Sequence, residues 1–375
     1  MARDIKELCG VDFPLFAFSH CRDVVAAVSR AGGFGVLGGV AFTPETLEVE
    51  LKWIDEHCDG KPYGVDVLLP EKQNAAADAT VQQIIQTIPQ EHRDFVQKLL
   101  ADAGIDWHVP EGAGRSAVNS LSPLVAEQLI EVAFSHPIRL VASALGPAPK
   151  WMIERGRSAG VAVCGLVGAK EHAVRQIEAG VDIIVAQGGE AGGHTGEVAT
   201  LVLVPEVVRA VEQSGRDIAV LGAGGIMTGA QMAACMAMGA SGAWTGSVWL
   251  ATTDSEVTET FRQKMLAATS RDTIRSKART GKPSRQLRSA WHDAWEGPES
   301  PGALPMPQMS ILSTPAFAAI DRAADGGNEQ AKELLSYWVG QGVGLVDKVK
   351  SAEQVVADFM TEFAEAADRL AAYAG

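Results

Sequence analysis

The feature that most constrains the fold is an eightfold alternation of short apolar runs with helical patterns. The apolar runs are rich in β-branched residues, as are strands buried on both faces of a parallel sheet. They lie at residues 13–18, 33–38, 62–68, 138–143, 161–166, 182–187, 218–223 and 241–245. Between them, segments such as 23–30, 45–58, 171–178 and 231–238 repeat apolar residues every three or four positions, which indicates helices. Strand followed by helix, eight times, predicts an α/β fold, the (β/α)8 TIM barrel.

Two segments depart from a minimal barrel. Residues 71–130 are rich in Ala and Gln, and we predict a mostly helical insertion with helical runs at 82–86 and 95–100 and a loop at 110–114. The insertion is either a lid or a structural element. The second segment has a Pro-rich loop at 298–307 and helical patterns around 311–323, 328–338 and 351–373. We therefore expect a barrel over residues 1–290 and, over 291–375, a helical extension that packs on the barrel or on a second subunit of a homodimer.

Composition disfavours several classes of partner and site. The 375 residues are 47% hydrophobic, which is enough for a large core, and the formal net charge is −14. Nucleic acids and anionic membranes are polyanions, so neither is expected to bind. The five cysteines never form CxxC, so neither zinc nor a disulfide framework is predicted, and no metal site is expected. No signal peptide or long apolar run is evident, so we expect a cytoplasmic protein.

The sixth apolar run leads into the richest candidate site. Residues 187–196 read QGGEAGGHTG and place five glycines around His194. Loops at the carboxyl ends of barrel strands carry the chemistry, and glycines there let the backbone approach a ligand closely. We therefore predict that His194 projects over a pocket. Glu190 is either a solvated carboxylate or a hydrogen-bonding anchor of this loop.

The seventh and eighth runs end in turns suited to an anion. The seventh leads into AGGIMTG at 223–229, and the eighth into Gly246-Ser247. The loops after barrel strands seven and eight frequently bind phosphate through backbone amides near a helix N-terminus. A dinucleotide fingerprint does not fit, because Met227 stands where GxGxxG needs its third glycine. We predict a phosphate site at Gly224, Gly225, Gly246 and Ser247, with ligand-free tight turns as the alternative.

Together these motifs resemble the nitronate monooxygenase family, formerly called 2-nitropropane dioxygenases. AQGGEAGGH at 186–194 is similar to the family's AQGxEAGGH, and GGI at 224–226 with Gly246-Ser247 is similar to its FMN-phosphate turns. Residues 13–15, 24–39, 62–67 and 281–285 also resemble family segments, so the similarity covers most of 11–290. The resemblance implies FMN as cofactor, and oxidation of small alkyl nitronates or nitroalkanes by O2 to a carbonyl compound with release of nitrite.

The resemblance also implies which residues surround the flavin ring. His194 would face the substrate, either as the base that removes the α-proton of a nitroalkane or as a donor to the nitro oxygens. Asp66 stands where relatives carry an asparagine that touches FMN. A carboxylate there disfavours the anionic reduced ring unless it is protonated or paired. The implied cofactor contacts, besides the phosphate site, are Ala17, Phe18, Ser19, Asp66, Gln187, Gly188 and Gly193.

Several alternatives stay open. His20, after the first strand, and His172, early in the helix after the fifth, are further site candidates, although each position is more typical of a structural residue. The same barrel also suits an FMN-dependent NAD(P)H reductase of enoyl thioesters or quinones, a flavin-free isomerase or aldolase, or a noncatalytic ligand-binding scaffold. For the remaining histidines, surface or packing roles are expected: His57, His92, His108, His136 and His292.

Overall fold

The computed structural model describes residues 4–69, 81–108, 123–144 and 146–373. Eight parallel strands form a closed barrel in chain order, and the last strand pairs with the first. The eight predicted strands are confirmed, with ends that differ by at most two residues. They are β1 (Leu15–Ser19), β2 (Phe34–Gly38), β3 (Tyr63–Leu68), β4 (Leu140–Ala144), β5 (Ala162–Val167), β6 (Ile183–Gln187), β8 (Ala219–Ala223) and β9 (Gly242–Thr245).

Helices surround the barrel and continue beyond it. Their ends follow local sequence signals: Thr43 forms a capping box with Thr46, and Gly180 and Gly215 end helices in the left-handed conformation. The described helices are α1 (Ile5–Cys9), α2 (Arg22–Arg30), α3 (Pro44–His57), α4 (Val81–Gln86), α5 (Gln90–Asp102), α6 (Pro123–Phe134), α7 (Lys150–Ala159), α8 (Lys170–Ala179), α9 (Thr200–Ser214), α10 (Gly229–Ala237), α11 (Ser247–Leu250), α12 (Glu259–Leu266), α13 (Ala290–Trp295), α14 (Gln308–Asp325), α15 (Glu329–Leu334) and α16 (Ala352–Ala371).

Side chains alternate along each barrel strand between the interior and the helical layer. Phe16, Val36 and Leu221 belong to the core inside the barrel. Val65 and Val67 pack in the outer layer, so Asp66 between them points inward. Ala17 belongs to the outer layer and points away from the interior.

A second apolar core joins the insertion to the C-terminal part of the chain. Val96 and Leu100 of α5 pack with Trp291 of α13 and with Leu312 and Phe317 of α14. The predicted helices at 82–86 and 95–100 are confirmed within α4 and α5, and α5 has a structural role. The helix α6 packs on β3 and α3 and therefore belongs to the barrel wall. The predicted loop at 110–114 lies outside the described residues.

The loop after β6 contributes one strand to a small antiparallel sheet. Its strand order is β10 (Thr273–Ser276), β11 (Ser284–Leu287) and β7 (Gly193–His194). The predicted helix over 328–338 is wrong beyond Leu334. The Lys264 ammonium group binds the carbonyl of Leu335 at 2.9 Å, and the Leu287 amide donates to the Tyr337 carbonyl at 2.9 Å. These tertiary contacts hold the chain extended along β11.

None of the helices in the described ranges is both long enough and apolar enough to cross a bilayer.

Candidate active site

His194 is held at the edge of the small sheet in a defined tautomer. It pairs with Ser284 of β11, and its Nδ1 lies 3.3 Å from the Pro283 carbonyl oxygen. A carbonyl only accepts, so Nδ1 carries the proton and Nε2 of the neutral ring keeps its lone pair. Burial lowers the pKa of His194; the Pro283 bond opposes this shift and the Lys282 charge adds to it. The imidazole is therefore a neutral proton acceptor at pH 7.

The end of β6 and the His194 loop form one unit. The side-chain amide of Gln187 donates through Nε2 to the His194 backbone carbonyl at 3.3 Å, and the backbone amide of Gly188 donates to the Ala223 carbonyl at 2.9 Å. Gly193 has φ +81°, which favours glycine. A Cβ on Gly196 would overlap the backbone of the β5–α8 turn. The structure thus brings Gln187, Gly188, Gly193 and His194 together.

Glu190 anchors this loop. Its carboxylate accepts bonds of 2.9 Å from both the backbone amide and the hydroxyl of Thr200, the first residue of α9. A carboxylate at a helix N-terminus satisfies unpaired amides and complements the helix dipole. The Arg285 Nε donates to the Gly189 carbonyl at 2.9 Å and ties the same loop to β11. Of the two sequence-based alternatives for Glu190, the hydrogen-bonding anchor is confirmed.

The turns after β8 and β9, which the sequence predicts to bind phosphate, are built around glycines. Gly224 and Gly225 have φ of +104° and +70°. A Cβ on Gly224 would lie 2.6 Å from the Thr200 hydroxyl, so a side chain is excluded. An ideal Cβ on Gly246 has nothing within 4 Å, so space is open beside this backbone. Consecutive amides in such turns form an anion-binding concavity, and this one precedes α10, which is capped by the Thr228 hydroxyl.

A segment that the sequence analysis missed closes the same end of the barrel. We call residues 336–344 the C-terminal strap. The Gly340 amide donates to the Ser247 hydroxyl oxygen at 2.9 Å, and the Gln341 amide donates to the Glu190 carbonyl at 2.8 Å. Ser247 keeps its hydroxyl hydrogen for a ligand. The sequence signal that could have indicated this segment is the alternation of glycines in GQGVG at 340–344, in a tail with otherwise helical patterns.

The strap fits tightly against both the His194 loop and the phosphate turn. A Cβ on Gly340 would lie 2.7 Å from the Glu190 carbonyl oxygen, and one on Gly342 would lie 2.8 Å from the Gly225 carbonyl oxygen. Glycine at both positions therefore permits the close approach of the strap.

Aromatic side chains line the mouth at β1. The Phe18 ring stacks on Trp244 of β9 with centroids 6.3 Å apart, and it meets His20 edge-on at 5.2 Å. The His20 Nδ1 lies 3.1 Å from the Gly38 carbonyl oxygen, and burial lowers the pKa of His20. The Ser19 hydroxyl accepts from the Cys21 amide at 3.1 Å. Since the Ala17 side chain points outward, only its backbone can face a ligand here.

Asp66 is a buried carboxyl inside the barrel. It is 8% exposed, and among the residues described we find neither a hydrogen bond nor an ion pair to its side chain. Its register partners are Gly38 on β2 and Ala142 on β4. Burial raises the pKa of Asp66 to about 7.

The remaining histidines lie away from these residues or have structural partners. His172 is exposed on the first turn of α8. His136 has the packing role expected of it: its two ring nitrogens lie 2.6 Å from Asp55 and 3.0 Å from Glu48. Both carboxylates come from α3, and His136 precedes β4, so the cluster fastens the amino-terminal side of the barrel, the side whose contacts serve stability.

Comparison with known proteins agrees with this geometry. The family model for nitronate monooxygenase matches residues 8–362. A "putative monooxygenase" of Mycobacterium tuberculosis is 52% identical over 373 residues, 99% of this chain and 98% of that one. Among solved structures, nitroalkane oxidase from Streptomyces ansochromogenes has a TM-score of 0.78 at 26% identity, over 98% of this chain and 99% of the other.

A further solved structure, FabK from Thermotoga maritima, has a TM-score of 0.71 at 26% identity and covers 100% of this chain and 99% of its own. Taken with the family match over most of the chain, these similarities make the protein a flavin-dependent oxidoreductase. The chain belongs to the nitronate monooxygenase family.

Proposed function

We propose that the protein is an FMN-dependent nitronate monooxygenase that converts alkyl nitronates and nitroalkanes, with O2, into carbonyl compounds and nitrite. The observation that carries this proposal is His194, whose Nδ1 is committed to Pro283 and whose Nε2 keeps its lone pair, on a loop that packs against the glycine turn after β8 through Glu190. When bound, FMN would accept electrons from the substrate carbon and pass them to oxygen.

The chain would hold FMN mainly through backbone groups. Gly224, Gly225, Gly246 and Ser247 would bind the phosphate, with the open space at Gly246 and the Ser247 hydroxyl hydrogen facing it. The strap would limit the access of water to this end of the site. The flavin ring would lie against the interior end of β1, β3 and β6, at Ala17, Phe18, Ser19, Asp66, Gln187, Gly188 and Gly193.

The net reaction needs no external reductant. Two molecules of a secondary nitroalkane and one of O2 give two molecules of the ketone and two of nitrous acid, so each carbon–nitrogen bond is replaced by a carbon–oxygen bond. The protein must remove an α-proton from a neutral nitroalkane, and the Nε2 of His194 would accept it. A nitronate arrives without that proton and does not need the base.

The proposal is tested by anaerobic absorption spectroscopy of the FMN-loaded protein. We expect propyl-2-nitronate to bleach or shift the flavin band, whereas NADH and NADPH leave it unchanged. Reduction by a nicotinamide alone would replace the proposal with an NAD(P)H-dependent reductase. Failure to take up FMN would exclude both of these FMN-dependent functions.

A further inference from the structure

We infer that Asp66 enters the site as a neutral carboxylic acid that donates a hydrogen bond to the bound flavin, and that its ionisation weakens flavin binding. The inference rests on the proposed function in one respect only, that FMN is the ligand. It concerns the acidity of the binding site and does not depend on which substrate is oxidised.

Geometry places this carboxyl at the ligand end of the barrel. Asp66 is paired in register with Gly38, the last residue of β2. A Cβ on Gly38 would lie 2.6 Å from the His20 ring and 2.9 Å from Phe18, so these rings cover Gly38 at the mouth. The carboxyl is thus beside the aromatic wall and more than nine-tenths buried.

The surroundings of Asp66 offer no compensation for a negative charge. On β4 its neighbour is Ala142, and on the strand beyond lies Cys164, a fully buried thiol next to Cys9 of α1. The Asp66 charge contributes to raising the pKa of the Cys164 thiol. His20 is the titratable group on the β1 side, and burial keeps it neutral. Within the described ranges, Asp66 forms no ion pair with an Arg or Lys.

A buried polar side chain without a protein partner is costly, and in a native protein such a group pairs with water, an ion or a ligand. A neutral carboxylic acid presents one donor and one acceptor side by side, as an amide does, whereas a carboxylate only accepts. The pyrimidine part of a flavin alternates N–H and C=O groups along its edge. The neutral acid can match such an edge, and the carboxylate would meet the carbonyl oxygens with repulsion.

The first measurement is the dissociation constant of FMN between about pH 6 and pH 8.5, in the wild type and in Asp66→Asn. Burial raises the pKa of Asp66 to about 7, so the wild type should lose up to about tenfold in affinity per pH unit above that value. The asparagine variant keeps a donor and an acceptor and should lack this loss. Ionisations of FMN itself are common to both proteins and cancel in the comparison. Equal pH slopes in the two proteins would overturn the inference.

The second measurement needs no flavin. Because the folded state holds the Asp66 proton more tightly than the unfolded chain, the wild-type apoprotein should lose stability relative to Asp66→Asn as pH rises from about 4 to about 7, and the difference should then be constant. Urea midpoints of the two apoproteins across this range measure it. A difference that does not widen with pH would contradict a neutral buried acid.

Asp321→Asn is the matched control. Asp321 lies on α14, and burial raises its pKa to about 6, but it is outside the barrel. Its variant should keep the wild-type pH slope of FMN binding. If FMN affinity shows the predicted pH slope but nitronates are not oxidised, the proposed function fails and the inference holds. If nitronates are oxidised but the affinity for FMN does not depend on pH, the inference alone fails.

Discussion

At the residue scale, the hydrogen bond from His194 to Pro283 decides what the imidazole can do. His194→Asn removes the acceptor Nε2 and keeps an N–H donor near the position of Nδ1, which faces the Pro283 carbonyl. We expect kcat/KM for a neutral nitroalkane to fall about 10²–10⁴-fold, the usual contribution of a general base. The loss for the corresponding nitronate should be much smaller, because no proton has to be removed. Nitrite release from nitroethane and from ethyl nitronate measures both values.

His172→Asn is the control for this experiment. His172 is exposed on α8, so its substitution should leave kcat/KM unchanged for both substrates. Equal losses on the nitroalkane and the nitronate in His194→Asn would argue against a role as base and in favour of general substrate binding.

The same residue predicts a pH dependence. Burial is the main cause that lowers the pKa of His194 below 6.5. The base is active when deprotonated, so kcat/KM for a nitroalkane should rise with pH up to that pKa and be flat above it. The profile for a nitronate should lack the limb that belongs to His194. A nitroalkane profile whose rising limb is centred above 6.5 would show that a different group is the base.

At the element scale, substitution of their glycines distinguishes the contributions of the two turns of the proposed phosphate site. Gly246 has φ −134° and open space around its Cβ direction, so Gly246→Ala should change apoprotein stability by less than about 0.5 kcal/mol. Its methyl group would occupy the proposed phosphate space and weaken FMN binding at least about tenfold, the equivalent of one charge-assisted hydrogen bond.

Gly224→Ala is the contrasting variant, because it combines φ +104° with an approach of 2.6 Å to the Thr200 hydroxyl. It should destabilise the apoprotein by about 1–3 kcal/mol as well as weaken FMN binding. Thermal unfolding without flavin, together with FMN titration, distinguishes the two. Unchanged FMN affinity in Gly246→Ala would remove Gly246 from the phosphate site.

Elements whose signals are local could be predicted from the sequence, and those set by distant contacts could not. Each barrel strand is buried on both faces and therefore appears as a continuous apolar run. The end of α15 depends instead on Lys264 and on β11, and the position of Gly340 depends on Ser247. The partners of His136 come from α3, more than 80 positions earlier in the chain. None of these pairings leaves a periodic pattern, so the strap could not be predicted from the sequence.

At the scale of the whole molecule, the strap connects the second core to the end of the barrel where we propose that FMN binds. Trp291 packs on Phe317 with ring centroids 4.9 Å apart. The Arg279 guanidinium carbon lies 4.0 Å from the Phe317 centroid and 4.2 Å from that of Trp338, within the strap. Trp338 is two residues before Gly340, which binds Ser247. Packing in the second core should therefore affect the geometry of the proposed phosphate site.

Trp291→Ala tests this connection, and Leu47→Ala is its control for a comparable loss of stability. Both side chains are fully buried, and both substitutions should cost several kcal/mol, about 3–5 for Trp and about 2–5 for Leu. Leu47 lies on α3 in the outer layer of the barrel, away from the strap. Below the melting range of both variants, we expect Trp291→Ala to weaken FMN binding while Leu47→Ala keeps the wild-type affinity. Equal affinities at comparable stability loss would mean that the strap holds its position independently of the second core.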